Sequence, residues 1–116
     1  MKILTLHNMG TPTKRRASVI NIETLFKDYS NNFLCLNHDA EILLPKFIKN
    51  INFDLIILGP TFLYSRFNPN TFNRFQKEYH FISKKETYKI AMPQDEYTYS
   101  EILDKWMCDW NITCIF

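Results

Sequence analysis

The side chains best suited to chemistry in this sequence form one short segment, Gln94-Asp95-Glu96-Tyr97. It combines two adjacent carboxylates with an amide and a phenol, and it comes shortly after an apolar run. A carboxylate in such a position can act as a general base, and the group can hydrogen-bond the hydroxyls of a sugar. Acidic residues also gather ahead of helices, because the N-terminal end of a helix is positive. The sequence leaves both interpretations open.

A second polar group follows the first apolar run of the chain. His7 and Asn8 come directly after this run, and Gly10 lies in the same loop. Imidazole titrates near neutral pH, so His7 is a candidate base, while Asn8 and Gly10 are candidates for binding a substrate. A lone histidine commonly makes only local hydrogen bonds, and this structural interpretation of His7 stays open.

Two further candidates follow the third apolar run. Thr61 is a candidate for binding a substrate, and Arg66 stands between Tyr64 and Phe67. The Arg66 guanidinium can hold an anion over a crevice, or it can stack on the neighbouring aromatic rings. Both residues are therefore included among the candidate substrate contacts.

Two charged segments have simpler explanations. The basic run at residues 14–16 could meet a phosphate at the start of a helix, but a solvated surface is its more ordinary role. His38 and Asp39 follow the second apolar run, where we expect a turn. We therefore favour a solvated surface for the basic run, beside the open alternative of a phosphate contact, and a turn for His38 and Asp39.

The composition excludes several classes of function. The chain of 116 residues has only 2 glycines, which excludes the glycine-rich phosphate loops of nucleotide-binding proteins. Its 3 cysteines form no C-x-x-C pair and lie in apolar stretches, so we expect buried reduced thiols rather than a zinc or redox centre. With 14 basic and 12 acidic residues, the net charge of +2 makes no case for nucleic acid. We therefore predict no metal and no cofactor.

The location of the protein is also constrained by its hydrophobic segments. The N-terminal stretch turns polar at His7, too early for a signal peptide. The longest uncharged run covers residues 55–65, well short of the roughly 20 residues that span a bilayer. We therefore expect a cytoplasmic protein without a transmembrane segment.

Five short apolar runs, separated by helix-like segments, organise the chain. They cover residues 2–6, 33–37, 54–59, 88–92 and 112–116. Their near-continuous isoleucine and leucine predict strands that are covered on both faces. The alternation predicts one α/β domain over residues 1–116, a three-layer Rossmann-like or flavodoxin-like sandwich with a five-stranded parallel sheet. Because such sheets bind ligands beyond the carboxyl ends of their strands, the candidates above are expected to share one edge.

The segments between the strands carry helix signals. An apolar stripe predicts a helix over residues 14–29, and Pro45 can begin a short helix that continues to about residue 50. Asn68 followed by Pro69 is a start signal for a further helix. Thr98 and Glu101 have the spacing of a capping box, which predicts that the last helix begins there.

The order of several segments resembles a known family. Residues 2–8 (KILTLHN), 53–58 (FDLIIL) and above all 89–97 (KIAMPQDEY) are similar to the N-terminal domain of bacterial group 1 glycosyltransferases of the GT-B type. The resemblance extends over nearly the whole chain. It implies the first of two Rossmann-like domains, which receives a carbohydrate acceptor and is inactive by itself, while a second domain holds the nucleotide-sugar.

The resemblance also implies roles for particular residues. Gln94, Asp95 and Glu96 would face the cleft between the two domains, with His7 and Asn8 beside them. Asp95 or Glu96 would orient or deprotonate an acceptor hydroxyl, and His7 is the alternative base.

A different class of function stays open, a small flavodoxin-like interaction domain without catalysis. The predicted helix after Pro69 carries Phe72, Phe75 and Tyr79, and Phe81 follows it. These are more aromatic residues than one buried face of a helix needs, so the surplus could bind a partner protein. A homodimer stays open as well.

Overall fold

Five parallel strands form the central sheet of the computed structural model, which describes residues 1–10 and 34–116. The strands are β1 (Lys2–His7), β2 (Leu34–Asp39), β3 (Leu55–Leu58), β4 (Tyr88–Ala91) and β5 (Cys114–Ile115). Their order across the sheet is β2-β1-β3-β4-β5, which is the flavodoxin-like order. The predicted α/β class with a five-stranded parallel sheet is confirmed. The expected helix over residues 14–29 and the basic run 14–16 lie outside the described residues.

Strand pairing sets which side chains share a face of the sheet. β1 pairs with β2 and β3 in register, so that Leu4 is opposite Ile56 and Leu6 is opposite Leu58. These four side chains are fully buried in the core. His7, the last residue of β1, is opposite Asp39 of β2.

Helices after β2, β3 and β4 complete the described part of the fold. The α-helices are α1 (Pro60–Leu63), α2 (Pro69–Glu78) and α3 (Ser100–Asp109), and shorter 3-10 helices cover Lys46–Asn50, Tyr64–Phe67 and His80–Lys84. The predicted start of α2 is confirmed, because the Asn68 side chain accepts hydrogen bonds from the backbone of Asn70 and Thr71, and Pro69 occupies the first helical position.

The predicted capping box ahead of α3 is wrong. The helix begins at Ser100, and the residue before it, Tyr99, has a left-handed backbone with φ 52° and no side-chain cap. The Thr98 backbone is engaged elsewhere: its N–H donates to the Asp95 carbonyl at 2.9 Å, and its own carbonyl accepts from Arg66. A turn over residues 95–98 therefore replaces the expected first turn of helix.

An aromatic cluster around Phe62 forms the centre of the core. The Phe62 ring stacks on Phe75 at 4.9 Å between centroids, and it meets Tyr79 edge-on at 5.2 Å. Trp106 and Trp110 of the α3 region close the cluster at 5.7 and 6.3 Å. All five side chains are almost completely buried. Rings from two helices and the α1 segment thus fill one space between the sheet and its covering helices.

The aromatic residues of α2 are therefore core residues. Phe75 and Tyr79 have no exposed area, and Phe72 and Phe81 pack against the same cluster. The interpretation of these rings as a surplus available to a partner protein is wrong. They contact rings of other elements, Phe62 of α1 and Trp106 of α3.

The prediction of three buried thiols is also wrong. Cys35 is half-buried, and Cys108 and Cys114 are exposed. Cys108 lies on the solvent-facing side of α3. Cys114 belongs to the short edge strand β5, both of whose residues are exposed. Among the described residues, no helix has the length and apolar character needed to cross a membrane.

We expect Phe62→Ala to lower the free energy of unfolding by about 3–5 kcal/mol, because it removes the ring that four other aromatic side chains contact. Denaturant titration followed by tryptophan fluorescence measures the change. Tyr88→Ala is the matched control, since Tyr88 is 67% exposed and its removal leaves no cavity. Equal losses in the two variants would contradict the central role of Phe62.

Candidate functional site

Two groups of polar residues lie at the carboxyl edge of the sheet. The first, here called the histidine group, consists of His7, Asn8, Gly10, Asp39 and Thr61 around the ends of β1, β2 and β3. The second, here called the carboxylate loop, is residues 94–97 beyond the end of β4. The segment over residues 60–67 contacts both groups, through Thr61 on one side and Arg66 on the other.

The His7 imidazole is buried at the centre of the histidine group. Its Nδ1 accepts a hydrogen bond from the Met9 backbone N–H at 3.3 Å and lies 4.0 Å from a carboxylate oxygen of Asp39. Burial lowers the pKa of His7, and the Asp39 carboxylate opposes this effect without cancelling it. Because Nδ1 accepts, the proton of the neutral ring resides on Nε2.

Asn8 is tied to this group through its backbone, and Gly10 follows in the same loop. The Asn8 N–H donates to the Thr61 hydroxyl at 2.8 Å, which joins the loop after β1 to the start of α1. Gly10 has φ 62°, a left-handed backbone conformation that favours glycine. The structure thus brings together three of the predicted residues, His7, Asn8 and Thr61. The left-handed backbone at position 10 explains why a glycine occurs there.

His38 and Asp39 do not form the predicted turn; they are the last two residues of β2. His38 is buried on the other face, where its Nε2 lies 3.1 Å from the Tyr79 hydroxyl. Burial lowers the pKa of His38 and raises the pKa of Tyr79. The approach of Asp39 to His7 was missed from the sequence, because the apolar run at residues 33–37 does not show that β2 continues to Asp39.

Arg66 is only 3% exposed, and its hydrogen bonds to described residues all go to main-chain carbonyls. Its Nη2 donates to Gln94 at 2.8 Å and to Asp95 at 3.0 Å, its Nε to Thr98 at 3.3 Å, and its Nη1 to Leu63 at 3.0 Å. Burial lowers the pKa of Arg66, and the nearby Asp95 charge opposes the shift. The guanidinium therefore fixes the backbone of the carboxylate loop from inside.

This arrangement leaves the side chains of the carboxylate loop in solvent. Gln94, Asp95, Glu96 and Tyr97 are all exposed. Within residues 1–10 and 34–116, neither carboxylate accepts a hydrogen bond or forms an ion pair. Asp95 has φ 51°, a left-handed backbone that costs energy for a residue other than glycine. A strained backbone is thus held in place while its acidic side chains stay available.

A cavity of about 610 Å³ lies beside the carboxylate loop. Its lining residues come from the loop, α3 and β5: Pro93, Asp95, Glu96, Tyr97, Leu103, Asp104 and Ile115. Among the described residues that line this space, three carry carboxylates and none is basic. Such a lining can accept hydrogen bonds from hydroxyls and repels phosphate.

A larger cavity of about 780 Å³ opens at the opposite edge of the sheet and contains none of the predicted site residues. Of the three lysines among its described lining residues, Lys84 is exposed, while Lys85 donates from Nζ to the Lys49 carbonyl at 2.8 Å and Lys89 to the Trp110 carbonyl at 3.0 Å. Since open parallel sheets bind ligands at the carboxyl edge, the smaller cavity is the stronger candidate.

The two polar groups remain separate within the described residues. No hydrogen bond or ion pair joins His7 to the carboxylate loop. The described part of the chain also contains no set of three or more histidine, cysteine or acidic side chains arranged to hold a metal ion. Comparison with protein-family models, with curated proteins and with solved structures finds no match. The chemistry of the carboxyl edge is therefore inferred from its own residues.

We expect acid to weaken the fold through the two buried histidines. Their folded-state pKa values lie below the unfolded value of about 6.5, so the unfolded chain binds protons first as the pH falls. The free energy of unfolding then decreases from about pH 6.5 down to the folded-state pKa values, by up to about 1.4 kcal/mol per pH unit for each histidine. Denaturant titrations between pH 8 and about pH 5 measure the slope.

The double variant His7→Asn with His38→Gln tests this cause. Each amide can replace the hydrogen-bonding nitrogen without titrating, so we expect a flatter pH profile. His80→Gln is the control, because His80 is exposed. An unchanged slope in the double variant would show that other groups cause the acid sensitivity.

We expect Arg66→Lys to destabilise the fold by about 2–3 kcal/mol, because an ammonium group cannot reach all the carbonyls that the guanidinium holds. Amide hydrogen exchange should rise most over residues 94–99. Arg74→Lys is the control, since Arg74 is exposed and holds one main-chain carbonyl, that of Ala40. Unchanged exchange in the loop would contradict the role given to Arg66.

Proposed function

We propose that this domain forms the acceptor side of a glycosyl-transfer site, as the N-terminal domain of a two-domain GT-B type glycosyltransferase. The observation that carries the proposal is the carboxylate loop, whose backbone is fixed by buried Arg66 while Asp95 and Glu96 project into solvent beside a cavity. The resemblance of residues 89–97 to the N-terminal domain of group 1 glycosyltransferases supports the same conclusion.

The proposed reaction needs one base on this side of the cleft. Asp95 or Glu96 accepts the proton of an acceptor hydroxyl as its oxygen forms a bond to the anomeric carbon of a nucleotide-sugar. The bond from that carbon to the nucleotide breaks at the same centre, and the nucleotide leaves with the electron pair. General-base assistance of this kind contributes about 10²–10⁴-fold to a rate.

The charge of the cavity supports an acceptor site rather than a donor site. Asp95, Glu96 and Asp104 line it, no basic residue is among its described lining residues, and these carboxylates would repel a nucleoside diphosphate. We therefore assign the nucleotide-sugar to a second domain, and we expect the chain by itself to transfer no sugar.

A second candidate is an interaction domain without catalysis. One observation favours it: Ile42, Leu43 and Phe47, which follow β2, are 62%, 84% and 58% exposed. Exposed apolar side chains that lie together mark protein-protein contacts. The same surface is also compatible with contact to a second domain of the glycosyltransferase.

We expect Asp95→Asn or Glu96→Gln, whichever residue is the base, to lower kcat of the intact two-domain enzyme by about 10²–10⁴-fold. The KM for the nucleotide-sugar should change little, because the donor lies in the other domain. Glu101→Gln is the control, since Glu101 is an exposed residue of α3 outside the cavity. A loss of turnover in His7→Asn alone would assign the base to His7, and unchanged turnover in all three variants would reject the proposed site.

A further inference from the structure

A group of three aromatic side chains, here called the aromatic platform, adjoins the carboxylate loop. Tyr64 stacks on Phe67 with 4.3 Å between ring centroids and an interplanar angle of 24°. Tyr99 meets Phe67 edge-on at 5.1 Å. Phe67 thus contacts both tyrosine rings, although Tyr64 and Phe67 come from the 3-10 helix after α1 and Tyr99 is the residue before α3.

The platform differs from the aromatic core in its exposure. Tyr64 and Tyr99 are 50% and 52% exposed, whereas Phe62 and Phe75 of the core have no exposed area. Tyr99 also has φ 52°, a backbone conformation that asparagine or glycine adopts at lower cost than a large aromatic residue. Packing in the core therefore does not account for the ring at this position.

Arg66 joins the platform to the carboxylate loop. Its guanidinium carbon lies 4.6 Å from the centre of the Phe67 ring. The same guanidinium donates to the carbonyls of Gln94 and Asp95. One buried side chain thus contacts both the ring at the middle of the platform and the backbone that carries the exposed carboxylates.

We propose that the aromatic platform binds one face of a neutral pyranose ring, and that the carboxylate loop binds the hydroxyls of the same sugar. This inference rests on the proposed function and names the class of its acceptor. A pyranose presents C–H groups on its face and hydroxyls around its edge. Aromatic faces carry partial negative charge and attract such C–H groups, while carboxylates and amides accept or donate hydrogen bonds at the edge.

The charges at this edge favour a neutral sugar over an acidic one. Asp95, Glu96 and Asp104 contribute three negative charges, and the positive charge of Arg66 is buried against carbonyl oxygens. A uronic acid or a sugar phosphate would bring a further negative charge to these carboxylates, and the described lining of the cavity offers no cation to receive it.

NMR titration of the 116-residue chain tests the proposal with defined probes. The probes are the methyl glycosides of glucose, galactose and mannose, with sorbitol, methyl glucuronide and uridine as comparisons. We expect at least one neutral glycoside to shift the signals of Tyr64, Phe67, Tyr99 and residues 94–97. Sorbitol has hydroxyls but no ring face, and the glucuronide carries a carboxylate, so both should bind at least about tenfold more weakly.

Three variants separate stacking from other effects. Tyr64→Ala and Tyr99→Asn should each raise the dissociation constant of the bound glycoside about tenfold, because each removes a ring. Asparagine is chosen at position 99 because it tolerates a left-handed backbone. Tyr88→Ala is the control, an exposed tyrosine at the opposite edge of the sheet whose loss should leave binding unchanged.

The outcomes distinguish this inference from the function on which it rests. Binding that falls in Asp95→Asn or Glu96→Gln but not in Tyr64→Ala or Tyr99→Asn would reject the platform and retain the acceptor site. Binding of uridine in place of every glycoside would reject the pyranose. A third outcome is that no glycoside binds the unaltered chain and that Asp95→Asn and Glu96→Gln keep full turnover in the intact enzyme. This outcome would reject both the aromatic platform and the proposed acceptor site.

Discussion

The candidate site depends on the burial of one cation. A guanidinium withdrawn from water is costly unless hydrogen bonds replace its hydration, and Arg66 recovers that cost from main-chain carbonyl oxygens rather than from a carboxylate. Three of these carbonyls, those of Gln94, Asp95 and Thr98, lie in a segment that also contains two left-handed residues, Asp95 and Tyr99. Such a conformation persists only where the surroundings impose it. Arg66 provides this constraint through hydrogen bonds to carbonyl oxygens rather than to the exposed carboxylates.

Features of the fold that depend on local sequence were predictable. Continuous apolar runs gave the parallel sheet, and Asn68 before Pro69 gave the start of α2, because burial and capping act over a few residues. Thr98 had the right local pattern for a cap, but its carbonyl is held by Arg66 from 32 positions away. Similarly, the aromatic rings of α2 looked like a surplus on their own helix because Phe62 and Trp106, which they contact, belong to other elements. In both cases, contacts with distant parts of the chain determine the structure, and the local sequence pattern does not show them.

In the candidate site, too, features set by local sequence were predictable, and features set by contacts between elements were not. The carboxylate loop was predictable, since it has a dense polar composition at the end of a strand and parallel strands end at one edge. The contact between Asn8 and Thr61 follows from the adjacency of β1 and β3, which the sheet order supplies and composition does not. Asp39 was assigned to a turn because the apolar run ends before it. β2 continues to Asp39 through its pairing with β1, where Asp39 is opposite His7, and a single strand's sequence does not show this pairing.

The hydrogen bonds of His7 bear on which residue could serve as the base. A neutral imidazole offers one donor and one acceptor, and the His7 acceptor, Nδ1, is occupied by the Met9 N–H. Its other nitrogen then carries the proton, so the neutral ring has no free lone pair for the proton of an acceptor hydroxyl. Proton uptake would require His7 to give up the Met9 hydrogen bond, and burial lowers its pKa as well. Asp95 and Glu96 are exposed and have no such internal commitment among the described residues. Their geometry therefore favours a carboxylate as the base.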